Sequence, residues 1–136
     1  MKRVKFFITL ILAATLIPGC LPDTFDDPNN DPRDNFIGDW RVNERSQLYG
    51  ETTYDVVINY DINNSAQVEI VNFYGLGNDI SVKALPTQST ITIFSQYVCN
   101  HTIKGEGFLT KNKIDWTYTV NDGADVDSVA ATFLRL

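Results

Sequence analysis

Residues 36–136 alternate apolar and polar side chains with a period near two. That is the repeat of a β-strand with one face buried and one wet, and it is incompatible with an amphipathic helix, whose repeat is 3.6. Tyr54, Val56, Ile58, Tyr60 and Ile62 alternate with Asp55, Asn59 and Asp61; Ile114, Trp116, Tyr118 and Val120 alternate with Asp115, Thr117, Thr119 and Asn121. Similar runs cover 37–45, 67–74, 79–85, 89–98, 102–110 and 125–136, which predicts about eight strands. The breaks carry turn chemistry: Tyr49-Gly50, Asn63-Asn64-Ser65, Gly75-Leu76-Gly77-Asn78, Pro86, Asn100, Lys111-Asn112 and Asn121-Asp122-Gly123.

Eight short antiparallel strands with strictly local connections can close into an up-and-down barrel or stack as a sandwich. A Greek-key sandwich needs longer crossings, and closure removes the exposed strand edges. The expectation is an all-β, eight-stranded antiparallel up-and-down barrel over residues 36–136.

The segment before it has different chemistry. Lys2, Arg3 and Lys5 precede a largely apolar run at 6–17, which ends in Pro18-Gly19-Cys20. A spanning helix needs about 20 apolar residues, so the run is too short to cross a bilayer. The pattern resembles a bacterial lipoprotein signal peptide at 1–19. That resemblance implies that Cys20 is the lipid-attachment residue and mature amino terminus, carrying acyl chains such as palmitate. The protein would then sit in the cell envelope, tethered to the outer membrane and facing either the periplasm or the surface.

Removing residues 1–19 leaves 117 of the 136 residues and takes away three cations, moving the net charge from −6 to −9. Such an acidic chain, without a basic patch, is not a nucleic-acid binder. Acylation of Cys20 leaves Cys99 without a partner in its own chain, and an unpaired thiol in an oxidising compartment is expected to be buried and inert. Residues 20–35 hold Pro22, Pro28 and Pro32 and five aspartates against one arginine. They read as an acidic, solvated spacer that cannot fold alone.

Phe36-Ile37-Gly38-Asp39-Trp40 opens the first strand, and the last ends Thr132-Phe133-Leu134-Arg135-Leu136. Together they resemble the calycins, a superfamily that includes the lipocalins, and with the preceding Asp31-Pro32-Arg33-Asp34-Asn35 they are similar to short lipocalin-like lipoproteins of Bacteroidota. The resemblance implies that Gly38, Trp40 and Arg135 close the base of the barrel, the guanidinium lying across the indole.

Catalytic chemistry has little to work with. His101 is the only histidine, no Ser or Asp partner for it is identifiable, and an exposed or locally hydrogen-bonded ring is expected. Residues 121–127 carry oxygen ligands without the spacing of a calcium loop. Gly105 and Gly107 in one strand suggest a bulge or barrel bend. The reading is therefore a non-enzyme with no catalytic residues, metal site or cofactor. The strand phase points Tyr54, Tyr60, Tyr74, Tyr97, Trp116 and Tyr118 inward as candidate lining of a ligand cavity. An eight-stranded barrel has room either for its own side chains or for one small ligand. Two functions remain open: a membrane-tethered barrel that binds a small apolar or amphipathic ligand, and a filled barrel that engages an envelope protein as an accessory subunit or inhibitor.

Overall fold

The structure is a computed structural model that describes residues 30–136; Cys20, the signal-like segment and most of the acidic spacer lie outside the described residues. Eight strands follow in order: β1 (Gly38–Ser46), β2 (Gly50–Tyr60), β3 (Val68–Val71), β4 (Ser81–Pro86), β5 (Thr90–Val98), β6 (His101–Thr110), β7 (Lys113–Asn121) and β8 (Val126–Arg135). Each pairs antiparallel with its sequence neighbour, and β1 pairs with β8, so the sheet is a closed up-and-down barrel.

All the connections are hairpins, which gives the barrel two distinct ends. The turns β2–β3, β4–β5 and β6–β7 and the chain's entry before β1 form the base. The turns β1–β2, β3–β4, β5–β6 and β7–β8 form the mouth. Between them, inward residues fill the interior: Val42, Val56, Ile58, Ile70, Ile91, Ile93, Ile103, Ile114 and Phe133 are almost fully buried.

Three local features depart from simple alternation. β3 stops at Val71 because Asn72 and Tyr74 take left-handed backbone conformations (φ 65° and 59°), folding Phe73–Gly75 into a 3-10 turn. That turn drives Phe73 into the barrel against Tyr118, Trp116 and Phe133, with ring centroids 4.6, 5.6 and 6.3 Å away. The Asn72 side chain holds the turn by donating to Asp55 O (2.9 Å) and accepting from Gly77 N (2.9 Å). In β5, the register against β6 shifts between Ile93 and Gln96. The extra residue reverses the phase of everything after it. β4 and β5 share only the pairs Leu85–Thr92 and Pro86–Ile91. Beyond them the Gln96 amide stands in for the ladder, accepting from Lys83 N and donating to Lys83 O at 2.9 and 2.8 Å.

Gly105 and Gly107 are inward positions of β6 that lie opposite Tyr118 and Trp116 of β7. A Cβ on Gly105 would lie 2.3 Å from the Tyr118 Cβ, and one on Gly107 would lie 2.9 Å from Trp116 Cδ2. The glycines thus leave the wall bare where two large aromatic rings must fit.

The base is sealed by the residues just ahead of β1. Pro32–Asn35 form a 3-10 turn capped by Asp31, so the end of the segment read as a spacer is ordered against the barrel. Proline supplies a preset φ, and Asp31 also forms an ion pair with Arg33. Arg135 stacks over the Trp40 ring at 4.2 Å and donates to Ile37 O (2.9 Å) and Asn35 O (2.6 Å), while Trp40 Nε1 donates to Phe36 O (2.8 Å). Gly38, at φ 128°, passes beneath that guanidinium: a Cβ there would lie 3.4 Å from Arg135 Nη1.

Candidate functional site

The β1 phase that buries Trp40 and Val42 also turns Glu44 and Ser46 inward, and the β8 phase that buries Phe133, Ala131 and Val129 turns Asp127 inward. Both strands therefore carry a carboxylate into the barrel just below its mouth. Glu44 and Asp127 are only 6% and 2% exposed.

The hydroxyls of Tyr54 and Tyr118 both donate to Glu44 Oε2. No hydrogen bond to Glu44 Oε1 is found among the described residues. Asp127 Oδ2 accepts from the Ser46 hydroxyl and from Tyr74 OH (2.7 Å), and its Oδ1 accepts from Leu48 N (3.2 Å). Ser46 Oγ in turn accepts from Leu48 N and Tyr49 N at 3.1 and 2.9 Å. Asp127 thus pins the β1–β2 turn.

The ionisation of this network is strongly biased. Burial, reinforced by the adjacent Glu44 carboxylate, pushes the Tyr54 and Tyr118 phenols far above the ordinary value; burial and Asp127 do the same for Tyr74. For Asp127, burial raises the pKa, but the hydrogen bonds from Ser46, Tyr74 and Leu48 N outweigh it and the net shift is downward. The phenols stay protonated donors, and Asp127 stays an anion.

Above this layer lies an open cavity of about 310 Å³, at the small end of the range of ligand pockets. Glu44, Asp127 and Tyr74 line its depth, and Tyr49, Thr52, His101, Asp122 and Asp125 surround its rim. His101 is held by its Nδ1 contact with Cys99 O (2.5 Å), and its ring lies edge-to-face with Tyr74, the centroids 6.3 Å apart. Asp122 is committed to its own turn, where Oδ1 accepts from Ala124 N and Asp125 N.

The predicted lining residues divide. Tyr54, Tyr74 and Tyr118 converge on the mouth network. Trp116 belongs to the packed centre, against Phe73 and Phe133, and its Nε1 is enclosed without a hydrogen-bond partner among the described residues. Tyr97 is not inward but 72% exposed, because the β5 bulge reverses its phase. Tyr60 has the expected phase, but β2 ends there; it lies at the base, 43% exposed, with Arg33 4.8 Å over its ring and its hydroxyl on Asp34. Cys99, expected to be buried, is exposed. It occupies the β5–β6 hairpin tip with Asn100, both at positive φ (49° and 62°), a backbone that leaves no sheet to cover the thiol. Glu44 and Phe73 carried no signal singled out in the sequence, and Asp127, expected in a solvated acidic turn at 121–127, is instead buried. The available signal was a charge at an inward position of two strands otherwise apolar on that face.

No family model and no curated protein matches the chain. It is similar to solved barrels: mFAP1, a redesigned beta barrel bound to DFHBI (TM-score 0.57, 16% identity, 78% of this chain and 100% of that one), and EF1p2_mFAP2b bound to DFHBI (0.53, 15%, 79% and 100%). A further redesigned beta barrel, b11L5F_LGL, matches at TM-score 0.56 and 14% identity over 78% of this chain and 96% of that one. At such identities the likeness is one of fold.

Proposed function

We propose that the chain is a lipid-tethered envelope protein whose barrel binds a small molecule in its mouth, without catalysis. The cavity of about 310 Å³ over a filled core carries this reading. Phe73, Trp116 and Phe133 leave no room for a long acyl chain below it, so the ligand is short and sits against the Glu44, Tyr74 and Asp127 layer. The fold is also similar to that of mFAP1, a redesigned beta barrel, and of EF1p2_mFAP2b, both bound to DFHBI. Tethering rests on the sequence before and at Cys20, and the non-catalytic role on the His101 ring, whose Nδ1 is engaged by a backbone carbonyl.

Native mass spectrometry of the full chain extracted from membranes is expected to reveal a co-purifying small molecule or saturable dye binding. Thr52→Trp, which places an indole in the cavity, is expected to abolish it. Binding that survives this substitution, or a folded protein that binds nothing, would refute the reading. Fatty-acid labelling that is lost in Cys20→Ala is the expected result for the tether.

A second reading has one specific observation behind it. Phe94 and Phe108 are 60% and 54% exposed beside an outer groove of about 640 Å³ across β5, β6 and β7, a surface suited to a protein partner. Crosslinking from this groove in envelope preparations, with Phe108→Ser as control, separates it from the mouth.

A further inference from the structure

Buried charge is treated differently at the mouth from elsewhere in the barrel. Asp61, 5% exposed, faces Lys83 Nζ at 3.2 Å. The other ion pairs among the described residues join Arg33 to Asp31, Arg41 to Asp55, Arg45 to Glu51, Lys83 to Glu69 and Lys113 to Asp115. Glu44 and Asp127 appear in none of them. Their hydrogen bonds come from phenols, a hydroxyl and an amide, which satisfy lone pairs without supplying a positive charge.

An uncompensated buried carboxylate is costly unless something neutralises it. Here Glu44 and Asp127 line one cavity without a counter-ion: hydrogen bonds offset the burial of Asp127, but Glu44 Oε1 has no donor among the described residues, and Asp122 and Asp125 on the rim add to the same negative field. We infer that the mouth is a binding site for a small organic cation: an ammonium or guanidinium group seated against Glu44 and Asp127, with its apolar body against the Tyr49 and Tyr74 rings. This deepens the proposed function and rests on its reading of the mouth as a ligand site.

The chemistry selects among ligand classes. A fatty acid or any other anion would bring a third negative charge to the site. A neutral apolar molecule would cover two carboxylates without compensating either. A cation gains charge-assisted hydrogen bonds and the attraction of the aromatic faces. A bare metal ion fits less well, since no three Asp, Glu, His or Cys side chains among the described residues come close enough together to hold one.

Three probes of one shape test this: tryptamine, neutral 3-ethylindole and anionic indole-3-propionate, titrated calorimetrically into the full chain in detergent. Tryptamine is expected to bind one to one and to weaken with salt, the neutral probe at least about tenfold less tightly, and the anion not at all. Glu44→Gln, which keeps the volume and an acceptor for the phenols, is expected to cost tryptamine about tenfold. If Glu44→Gln does not fold, Asp125→Asn on the exposed rim is expected to weaken tryptamine about two- to threefold. Equal binding of the neutral probe, insensitive to Glu44→Gln, would overturn the cation inference while leaving the mouth as a ligand site. Stoichiometric displacement of tryptamine by calcium would overturn it in favour of a metal, and a folded protein that binds no probe would overturn both readings.

Discussion

At the base of the barrel, charge is spent on closing the fold; at the mouth, it is left facing a cavity. Arg135 spans the seam between first and last strands, stacking on Trp40 and bonding two carbonyls, while Arg33 pairs with Asp31 and covers Tyr60. Glu44 and Asp127 are more deeply buried than those arginines but meet no cation among the described residues. Cations at one end serve stability, whereas at the other Asp127 is held as an anion by hydrogen bonds alone and Glu44 brings a charge without a counter-ion to the cavity. The same alternating strands support both because a barrel interior has two ends in one sequence phase.

Phe73 separates the ends, so truncating it should have the largest effect. Phe73→Ala removes a fully buried ring from the centre of the Trp116, Tyr118 and Phe133 cluster. The expected loss is about 3–5 kcal/mol, read as a lower denaturant midpoint, together with an enlarged mouth that accepts bulkier probes. A loss below about 1 kcal/mol would mean that the ring is no real partition and that the two ends are one compartment.

Arg135→Ala probes the base alone. It removes the indole stack and leaves the Ile37 and Asn35 carbonyls without their donor. Together these are expected to cost about 3 kcal/mol. Mouth binding should be unchanged in the folded fraction. Arg135→Lys is expected to recover only part of the loss, because an ammonium cannot fork to two carbonyls while lying flat on a ring.

Alkaline pH probes the mouth. Tyr54, Tyr74 and Tyr118 have phenol pKa values raised in the folded state above the unfolded value of 10. Their contribution is therefore fully present below pH 10 and is lost as the pH rises beyond it. Each phenol adds a slope of about 1.4 kcal/mol per pH unit. Denaturation across a pH series should be flat below pH 10 and steep above, and Tyr54→Phe should make the slope shallower, with Tyr60 at the base contributing in the same direction. At the acid end the sign reverses: Asp127, lowered in the fold, stabilises above its unfolded pKa, and that contribution fades as pH falls below about 4.

The barrel itself was legible in the alternation, because strand phase and short turns leave few topologies open. The base was legible too, through motifs at the two ends of the domain that the register places side by side as Trp40 and Arg135. Tyr97 was misread because one inserted residue in β5 inverts phase, and Ser95-Gln96 carries no glycine to mark the insertion. Phe73 was hidden because its position depends on two non-glycine residues at positive φ, Asn72 and Tyr74, which propensity disfavours and only tertiary packing enforces. The carboxylates were in phase all along, but a charge on an inward face reads as an irregularity until its neighbours on other strands are known.

The smallest expected effect on stability is the most diagnostic of the comparison. Glu44→Gln at the mouth keeps an oxygen for the Tyr54 and Tyr118 hydroxyls and removes a buried charge that has no counter-ion among the described residues. A buried charge without a counter-ion is a cost to the fold, so without ligand the melting temperature should stay level or rise slightly, corresponding to no more than about 0.5 kcal/mol of loss. The same variant should lose cation binding. At the base, by contrast, removing charge costs the fold and spares the ligand. A Glu44→Gln protein destabilised as much as Arg135→Ala would show that the mouth carboxylate is a structural keystone like the arginine, and the functional distinction between the ends would fall.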